Sequence, residues 1–297
     1  MKKLFNASFE QSLNLGDDTF VIFMNKDINK LPDPKGGRKV TARLIGILLI
    51  LFLIGINFLM ALLSTKGSVE GLGTSTVPKP DVNFLSIKVF YILFFIWIIL
   101  IILFRDKGEY YLTRIKGQFN LNLYLIWLLV EVNLLFITFF LKPLTVVGTT
   151  LLLGSIGLVG YAVFRSKKRS LENVLYETEG KKDKLDEWLE KVIKVVMKYG
   201  WIVVIVVMGW KILFPSEGVR TDIVGFIGIV GMWTAINIAF IVAEVYLFFP
   251  YLLHGYYKYK YPEEYREWEG KSQIEWYGEK YYNKHIKGTE REKKNDQ

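Results

Sequence analysis

The chain has 297 residues, of which 52% are hydrophobic and 23% are charged, and its formal net charge is +9. A water-soluble fold of this length could not bury that much apolar surface, because the apolar residues form uninterrupted blocks instead of recurring at helical or strand period. The absence of cysteine excludes disulfides, thiol catalysis and cysteine-ligated metals, and only two histidines are present. We therefore expect no metal and no cofactor.

The apolar blocks predict an all-α integral membrane protein, a polytopic bundle of about six transmembrane helices. At 1.5 Å per residue, most of the blocks are long enough to cross a hydrocarbon core of roughly 30 Å. The second block contains Lys88 near its start, and the fifth is short, so these two boundaries are the least well defined. The predicted spans are 44–63, 84–104, 121–141, 144–164, 199–214 and 223–249.

Basic residues define the predicted orientation. They concentrate before the first span, between the second and third, between the fourth and fifth, and after the sixth. The positive-inside rule then places both termini in the cytoplasm and the chain in the cytoplasmic membrane. No cleavable signal peptide is visible, so the first span is expected to be an uncleaved anchor. A nucleic-acid surface is the weaker interpretation of the charge, because no recognition motif accompanies it.

Three regions follow from this topology. Residues 1–42 are expected to form a cytoplasmic cap and linker, with a short β-like segment at 20–24. Residues 43–249 form the transmembrane domain, and residues 250–297 form a basic, aromatic cytoplasmic tail. Frequent Lys, Ile, Asn and Tyr are typical of a bacterium with a low genomic GC content.

The cytoplasmic loop 165–198 contains an amphipathic pattern. Asp183 can cap a helix whose apolar residues recur at three- and four-residue steps, with lysines on the opposite face. Such a helix can lie in the headgroup region with its lysines near anionic lipid, as a packing element or, alternatively, as a lipid sensor.

The tail predicts two short helices. Pro262 is typical of a helix start, and Ser272 with Glu275 forms a capping-box pattern that would place Ile274, Tyr277 and Tyr281 on one face. Its many tyrosines and tryptophans favour an interface, either the headgroup layer or a partner protein. We expect the part near Tyr251 to lie in the headgroup layer.

Polar residues inside the spans are the candidate functional site. A charged carboxylate in lipid costs roughly 2.5 kcal/mol or more, so Glu131 should face polar partners. It could serve in a proton or cation relay or contact a substrate, or it could simply form an interhelical hydrogen bond. Glu244 is expected to be structural, with Lys258 or water as its partner. The candidate set is Glu131, Asn133, Asn57, Asn237 and Glu244.

Glycines recur at three-residue steps in two predicted spans. Residues this small allow helix backbones to approach closely, so tight helix packing is the expected role. Related halves, as in transporters with internal repeats, are the alternative. The two sets are Gly154, Gly157 and Gly160, and Gly225, Gly228 and Gly231.

Two classes of function remain open. No phosphate-binding loop, GxSxG elbow or HExxH motif is present, so we do not expect an enzyme. The favoured class is a non-catalytic membrane protein, either an accessory subunit of a secretion or export complex or an immunity factor against a membrane-active toxin. The alternative is a transporter or permease subunit for a small solute or ion, with or without a separate ATPase. The expected partners are the lipid bilayer and either a membrane protein or a second copy of the chain.

Overall fold

A computed structural model describes residues 2–29, 40–71, 77–104, 109–178, 184–213 and 222–293. These ranges contain helices and connecting loops and no strand, so the prediction of an all-α fold is confirmed. The β-like segment expected at 20–24 is wrong, because those residues lie inside a helix from Thr19 to Asn29. Asp18 caps this helix: its carboxylate accepts from the backbone N–H groups of Phe20 and Val21.

The helices are as follows, in chain order: α1 (Lys2–Phe5), α2 (Phe9–Leu13), α3 (Thr19–Asn29), α4 (Val40–Glu70), α5 (Ile87–Leu103), α6 (Thr113–Tyr176), α7 (Lys184–Leu213), α8 (Ile223–Ala243), α9 (Phe249–Lys260), α10 (Pro262–Trp268), α11 (Gln273–Tyr277) and α12 (Glu279–His285). A π-helical segment, Glu244–Phe248, joins α8 to α9.

Within these ranges, three helical stretches are long and apolar enough to cross a membrane: Leu44–Glu70, Tyr110–Tyr176 and Ile223–Lys260. A shorter apolar helix, Ile87–Leu103, lies inside the predicted second span. These stretches support a membrane location for the chain. The predicted third and fourth spans both fall within α6.

The long helix α6 reverses direction at Thr145, just after Pro143. Thr145 has φ 62° and ψ 165°, a conformation outside the helical region. Phe136, before this point, stacks on Trp233 at 3.9 Å, and a Cβ built at Gly160, after it, would lie 3.3 Å from Ile241. On one straight helix, positions 136 and 160 would be about 36 Å apart. The residues of α8 that they contact, Trp233 and Ile241, are about 12 Å apart along that helix. The two arms of α6 are therefore antiparallel.

The reversal in α6, the α4–α5 loop and the start of α8 lie together at one end of the helix bundle. Lys142, next to the reversal, pairs with Asp81 in the α4–α5 loop at 2.7 Å. The backbone N–H of Phe84 in the same loop donates to Thr138 Oγ1 at 3.0 Å. Phe140 lies 5.5 Å from Phe226 in the first turn of α8, between ring centroids.

The predicted amphipathic helix and the predicted fifth span form one continuous helix, α7. Leu189 and Ile193 on its first half are buried against Phe20, Val163 and Tyr246. Its apolar face is thus used partly for packing inside the protein, although Trp188 stays exposed. The expected cap, Asp183, lies outside the described residues.

Both ends of the chain pack with the first and last turns of α6 in a second core. We call this region the terminal domain (2–18, 109–117, 166–178 and 249–293). Its core residues are Leu4, Ala7, Leu15, Leu171, Leu175, Leu253, Tyr257, Tyr265, Trp276, Tyr277, Tyr282 and Ile286. Tyrosine hydroxyls tie the two ends of the chain together: Tyr257 donates to the Leu4 carbonyl at 2.7 Å, and Tyr261 donates to the Ala7 carbonyl at 2.9 Å.

This core adds to one expectation about the tail and corrects another. The Tyr251 side chain is buried within the protein, as are those of Tyr257 and Tyr265, while the location of this segment in the headgroup layer stays a prediction. Three short helices follow Tyr261 instead of two, because Gly278, with φ 83°, ends α11 and separates Ile274 and Tyr277 from Tyr281. The helix start at Pro262 and the capping box from Ser272 to Glu275 are confirmed.

A buried ion pair connects the N-terminal segment to the second arm of α6. Lys167 Nζ lies 2.7 Å from Asp18 Oδ2, and both side chains are almost fully buried. The ammonium group also lies over the rings of Phe20 and Tyr246, at 5.3 and 5.2 Å from their centroids. Since Asp18 also caps α3, this pair fixes the position of α3 against the bundle.

Candidate functional site

Glu131 is fully buried on the first arm of α6, and its closest partner is on its own helix. Trp127 Nε1 donates to Glu131 Oε1 at 2.6 Å, across one helical turn. Asn57 of α4 lies beside the carboxyl, and Tyr124 donates its hydroxyl to Asn57 Oδ1 at 3.0 Å. A polar cluster of four side chains, Asn57, Tyr124, Trp127 and Glu131, therefore joins α4 to α6.

Aromatic rings enclose this cluster. Trp97 and Phe90 of α5 lie 5.1 and 6.0 Å from Trp127, between ring centroids. Among the described residues, Glu131 Oε2 and Asn57 Nδ2 each lack a hydrogen-bond partner. One group is an acceptor and the other is a donor, and the two side chains are adjacent in space, so a small side-chain rotation would pair them. The geometry suits an interhelical hydrogen bond and also leaves one carboxyl oxygen able to hold a proton.

The other sequence candidates lie apart from Glu131. Asn133 Nδ2 donates to Asn237 Oδ1 at 3.0 Å, and Asn237 Nδ2 donates to the Trp233 carbonyl at 3.0 Å, which links α6 to α8. Glu244 lies in the π-helical segment beside Asn122. The suggestion that Lys258 pairs with Glu244 is wrong, because Lys258 pairs with Glu269 at 2.6 Å.

The glycines differ in their surroundings. A Cβ at Gly160 would meet Ile241 of α8, whereas a Cβ at Gly154, Gly157, Gly228 or Gly231 would meet no described atom within 4 Å. Gly225 donates its N–H to the Asp222 carboxylate that caps α8, at 2.9 Å. Within the described part of the chain, close helix packing of the kind expected is thus present at Gly160.

A pocket of about 620 Å³ lies in the terminal domain, where α9, α10 and α11 meet the start of α6. Its walls combine charge with aromatic surface. The charged residues are Arg114, Lys258, Lys271, Glu269 and Glu275, and the aromatic residues include Tyr251, Tyr265, Trp268 and Trp276.

Glu269 organises the basic residues of this pocket. It accepts from both Lys258 and Lys271, and these two ammonium groups also lie over the ring of Trp276, at 5.9 and 5.3 Å from its centroid. Burial acts to raise the pKa of Glu269, but the charges and hydrogen bonds of the two lysines outweigh it and lower the pKa. Burial raises the pKa of Tyr265 to about 12, so its hydroxyl stays protonated.

Two buried polar side chains line this pocket without a hydrogen-bond partner among the described residues. Tyr251 is 3% exposed and His254 is 8% exposed, and both line the cavity. Neither makes a hydrogen bond with any residue that the structure describes, although each carries a donor. His254 is in ring contact with Tyr265, at 5.8 Å between centroids.

The sequence interpretation missed this pocket, although it had identified the tail as basic and aromatic. The available signal was the density of tyrosines and lysines between 251 and 282, which predicts an interface but not a cavity. The walls depend on contacts between residues more than 100 positions apart, such as the Tyr111 ring stacked on Trp276 at 4.7 Å. Comparison of the chain with known protein families, with curated proteins and with solved structures finds no match.

Proposed function

We propose that this chain is a six-span protein of the cytoplasmic membrane with both termini on the cytoplasmic side. The two antiparallel arms of α6 support this count, since each arm is long enough to contain one predicted span. The orientation is supported by the many lysines and arginines of the terminal domain at one end of the bundle, because the rule for orientation counts basic residues and not net charge. The apolar faces of α4 and α5, exposed at Leu48 and Ile92 among others, are suited to contact lipid.

Within that membrane, the proposed role is non-catalytic: an accessory subunit of a secretion or export complex, or an immunity factor against a membrane-active toxin. The observation that carries this proposal is the terminal domain itself. Both ends of the chain combine into one folded aromatic domain with a preformed pocket, which suits a protein that works by binding. The carboxyl of Glu131 is meanwhile engaged by Trp127, which suits a structural role.

A transporter or permease subunit is the second candidate. The observation that favours it is the pair of buried oxygens, Glu131 Oε2 and Asn133 Oδ1, that lack hydrogen-bond partners among the described residues. Buried polar groups left unsatisfied within a membrane helix are typical of solute and proton pathways.

One complementation experiment separates the two candidates. A strain lacking the gene is complemented with Glu131→Gln, which keeps the shape of the side chain but cannot titrate, or with Trp268→Ala, which alters an exposed residue of the terminal domain. Protein export and survival of toxin exposure are measured at equal protein levels. We expect Glu131→Gln to complement fully and Trp268→Ala to reduce function. The reverse pattern would favour transport.

A further inference from the structure

We propose that the pocket of the terminal domain is a binding site for a phosphate-bearing ligand. The argument begins with Tyr251 and His254. Both side chains carry a hydrogen-bond donor, and neither donor is used by a residue that the structure describes, so both are available to a ligand in the cavity. Both side chains are more than nine-tenths buried, and both line the pocket.

The charge of the walls selects an anion. Three cationic side chains, Arg114, Lys258 and Lys271, face two carboxylates, Glu269 and Glu275, so the lining keeps one net positive charge. A cationic ligand is disfavoured, because Lys258 and Lys271 already lie over the Trp276 ring and Lys258 also lies over Tyr265.

Phosphate fits this set of donors better than a single carboxylate does. A hydroxyl, an imidazole, a guanidinium and an ammonium group lie on different walls, and a tetrahedral group with several oxygens can accept from many directions. The volume of about 620 Å³ leaves room for the remainder of a small phosphate ester beside the aromatic walls.

The position of the pocket allows two sources for this phosphate. Its walls include Tyr110 and Arg114 at the start of one membrane-length helix and His254 and Lys258 at the end of another. In the topology proposed above, this is the depth at which phospholipid headgroups lie, so the ligand is either a lipid headgroup or a soluble phosphate ester. The site is independent of whether the chain is an accessory protein or a transporter.

The test uses the full chain in dodecyl maltoside, a detergent that carries no phosphate. Glycerol 3-phosphate is titrated in, and binding is followed by calorimetry and by fluorescence of the tryptophans, two of which line the pocket. A second arm adds phosphatidylglycerol to the micelles and measures the shift in thermal unfolding. Choline chloride is the cationic control.

Tyr251→Phe removes one hydroxyl and keeps the ring, and Lys271→Gln removes an exposed charge. Each should weaken binding about tenfold, the value of one hydrogen bond to a charged group. The matched controls, Tyr259→Phe and Lys284→Gln, alter exposed residues outside the pocket and should leave binding unchanged.

A response to glycerol 3-phosphate supports the proposal with a soluble ligand. A response confined to phosphatidylglycerol, and lost in Tyr251→Phe, supports it with a lipid headgroup. The proposal is overturned if neither probe gives a response, if choline binds instead, or if the pocket variants behave like their controls.

Discussion

The helix bundle and the terminal domain are stabilised by different contacts. The bundle exposes large apolar side chains, such as Leu158 at 72%, and its helices are joined by a few polar links such as the pair between Asn133 and Asn237. In the terminal domain the large aromatic side chains are buried, and hydroxyl groups join residues about 250 positions apart. Both regions are helical and both contain buried aromatic rings, yet the bundle also exposes many large apolar side chains.

This difference follows from the two solvents. Apolar side chains gain little by leaving lipid for another apolar surface, so helices in a membrane associate through close packing and hydrogen bonds. In water, burial of aromatic rings is the main stabilising contribution. The comparison predicts that single substitutions at the junction of the two regions or inside the terminal domain will lower the free energy of unfolding more than those in the bundle.

The largest effect is expected at the buried ion pair between Lys167 and Asp18. Lys167→Met would leave the Asp18 carboxylate buried without its partner, which typically costs 3–5 kcal/mol. Thermal unfolding of the full chain in detergent measures the loss. Lys168→Met is the matched control, because Lys168 is partly exposed, lies 3.7 Å from Glu172, and should change the free energy of unfolding by less than about 1 kcal/mol. Equal effects of the two substitutions would contradict this account of the junction.

A smaller effect is expected where α9 meets α6 in the terminal domain. A Cβ at Gly255 would lie 2.5 Å from Ile115 Cγ2, a branched position that cannot swing away. Gly255→Ala should therefore destabilise the terminal domain by about 1–3 kcal/mol, measured by its resistance to proteolysis. Adding Ile115→Ala should restore part of the loss. Gly16→Ala in the same domain meets no described atom within 4 Å and should be tolerated.

The smallest effect is expected in the bundle, at Gly160. Gly160→Leu would press on Ile241 of α8, whose contact atom is the mobile end of its side chain, so a cost of about 1 kcal/mol is expected. Gly157→Leu, one turn earlier, has open space and serves as the control. If both substitutions leave the melting temperature in detergent unchanged, Gly160 does not pack against α8.

The sequence predicted the positions of the bundle helices better than the contacts between their side chains. Apolar blocks show where helices run, and the predicted boundary between 141 and 144 lies close to the reversal at Thr145, where Pro143 disfavours a continuous helix. Glu131 was also recognised as a residue that needs polar partners, but its contact with Trp127 depends on rotamers that a sequence does not specify. The π-helical segment at Glu244 has no signal in the pattern.

The terminal domain was the least predictable part, for a physical reason. Its core pairs Leu4 and Ala7 with Tyr257, and a single sequence carries no information on which distant segments meet. The aromatic residues were recognised as interface-forming, and membrane headgroups or a partner were the expected surfaces. Many of these rings pack between the two ends of the same chain, and contact of the others with headgroups or a partner stays a prediction.

The central claim is that both ends of the chain form one domain on the cytoplasmic side of the bundle, and thiol labelling tests it most directly. In this cysteine-free chain, single cysteines replace Asn6, Lys284 and Lys79, all exposed residues. In intact cells, an impermeant thiol reagent should label the cysteine at Lys79 alone, and permeabilised cells should show labelling at all three. Labelling at Asn6 or Lys284 from outside would contradict the claim.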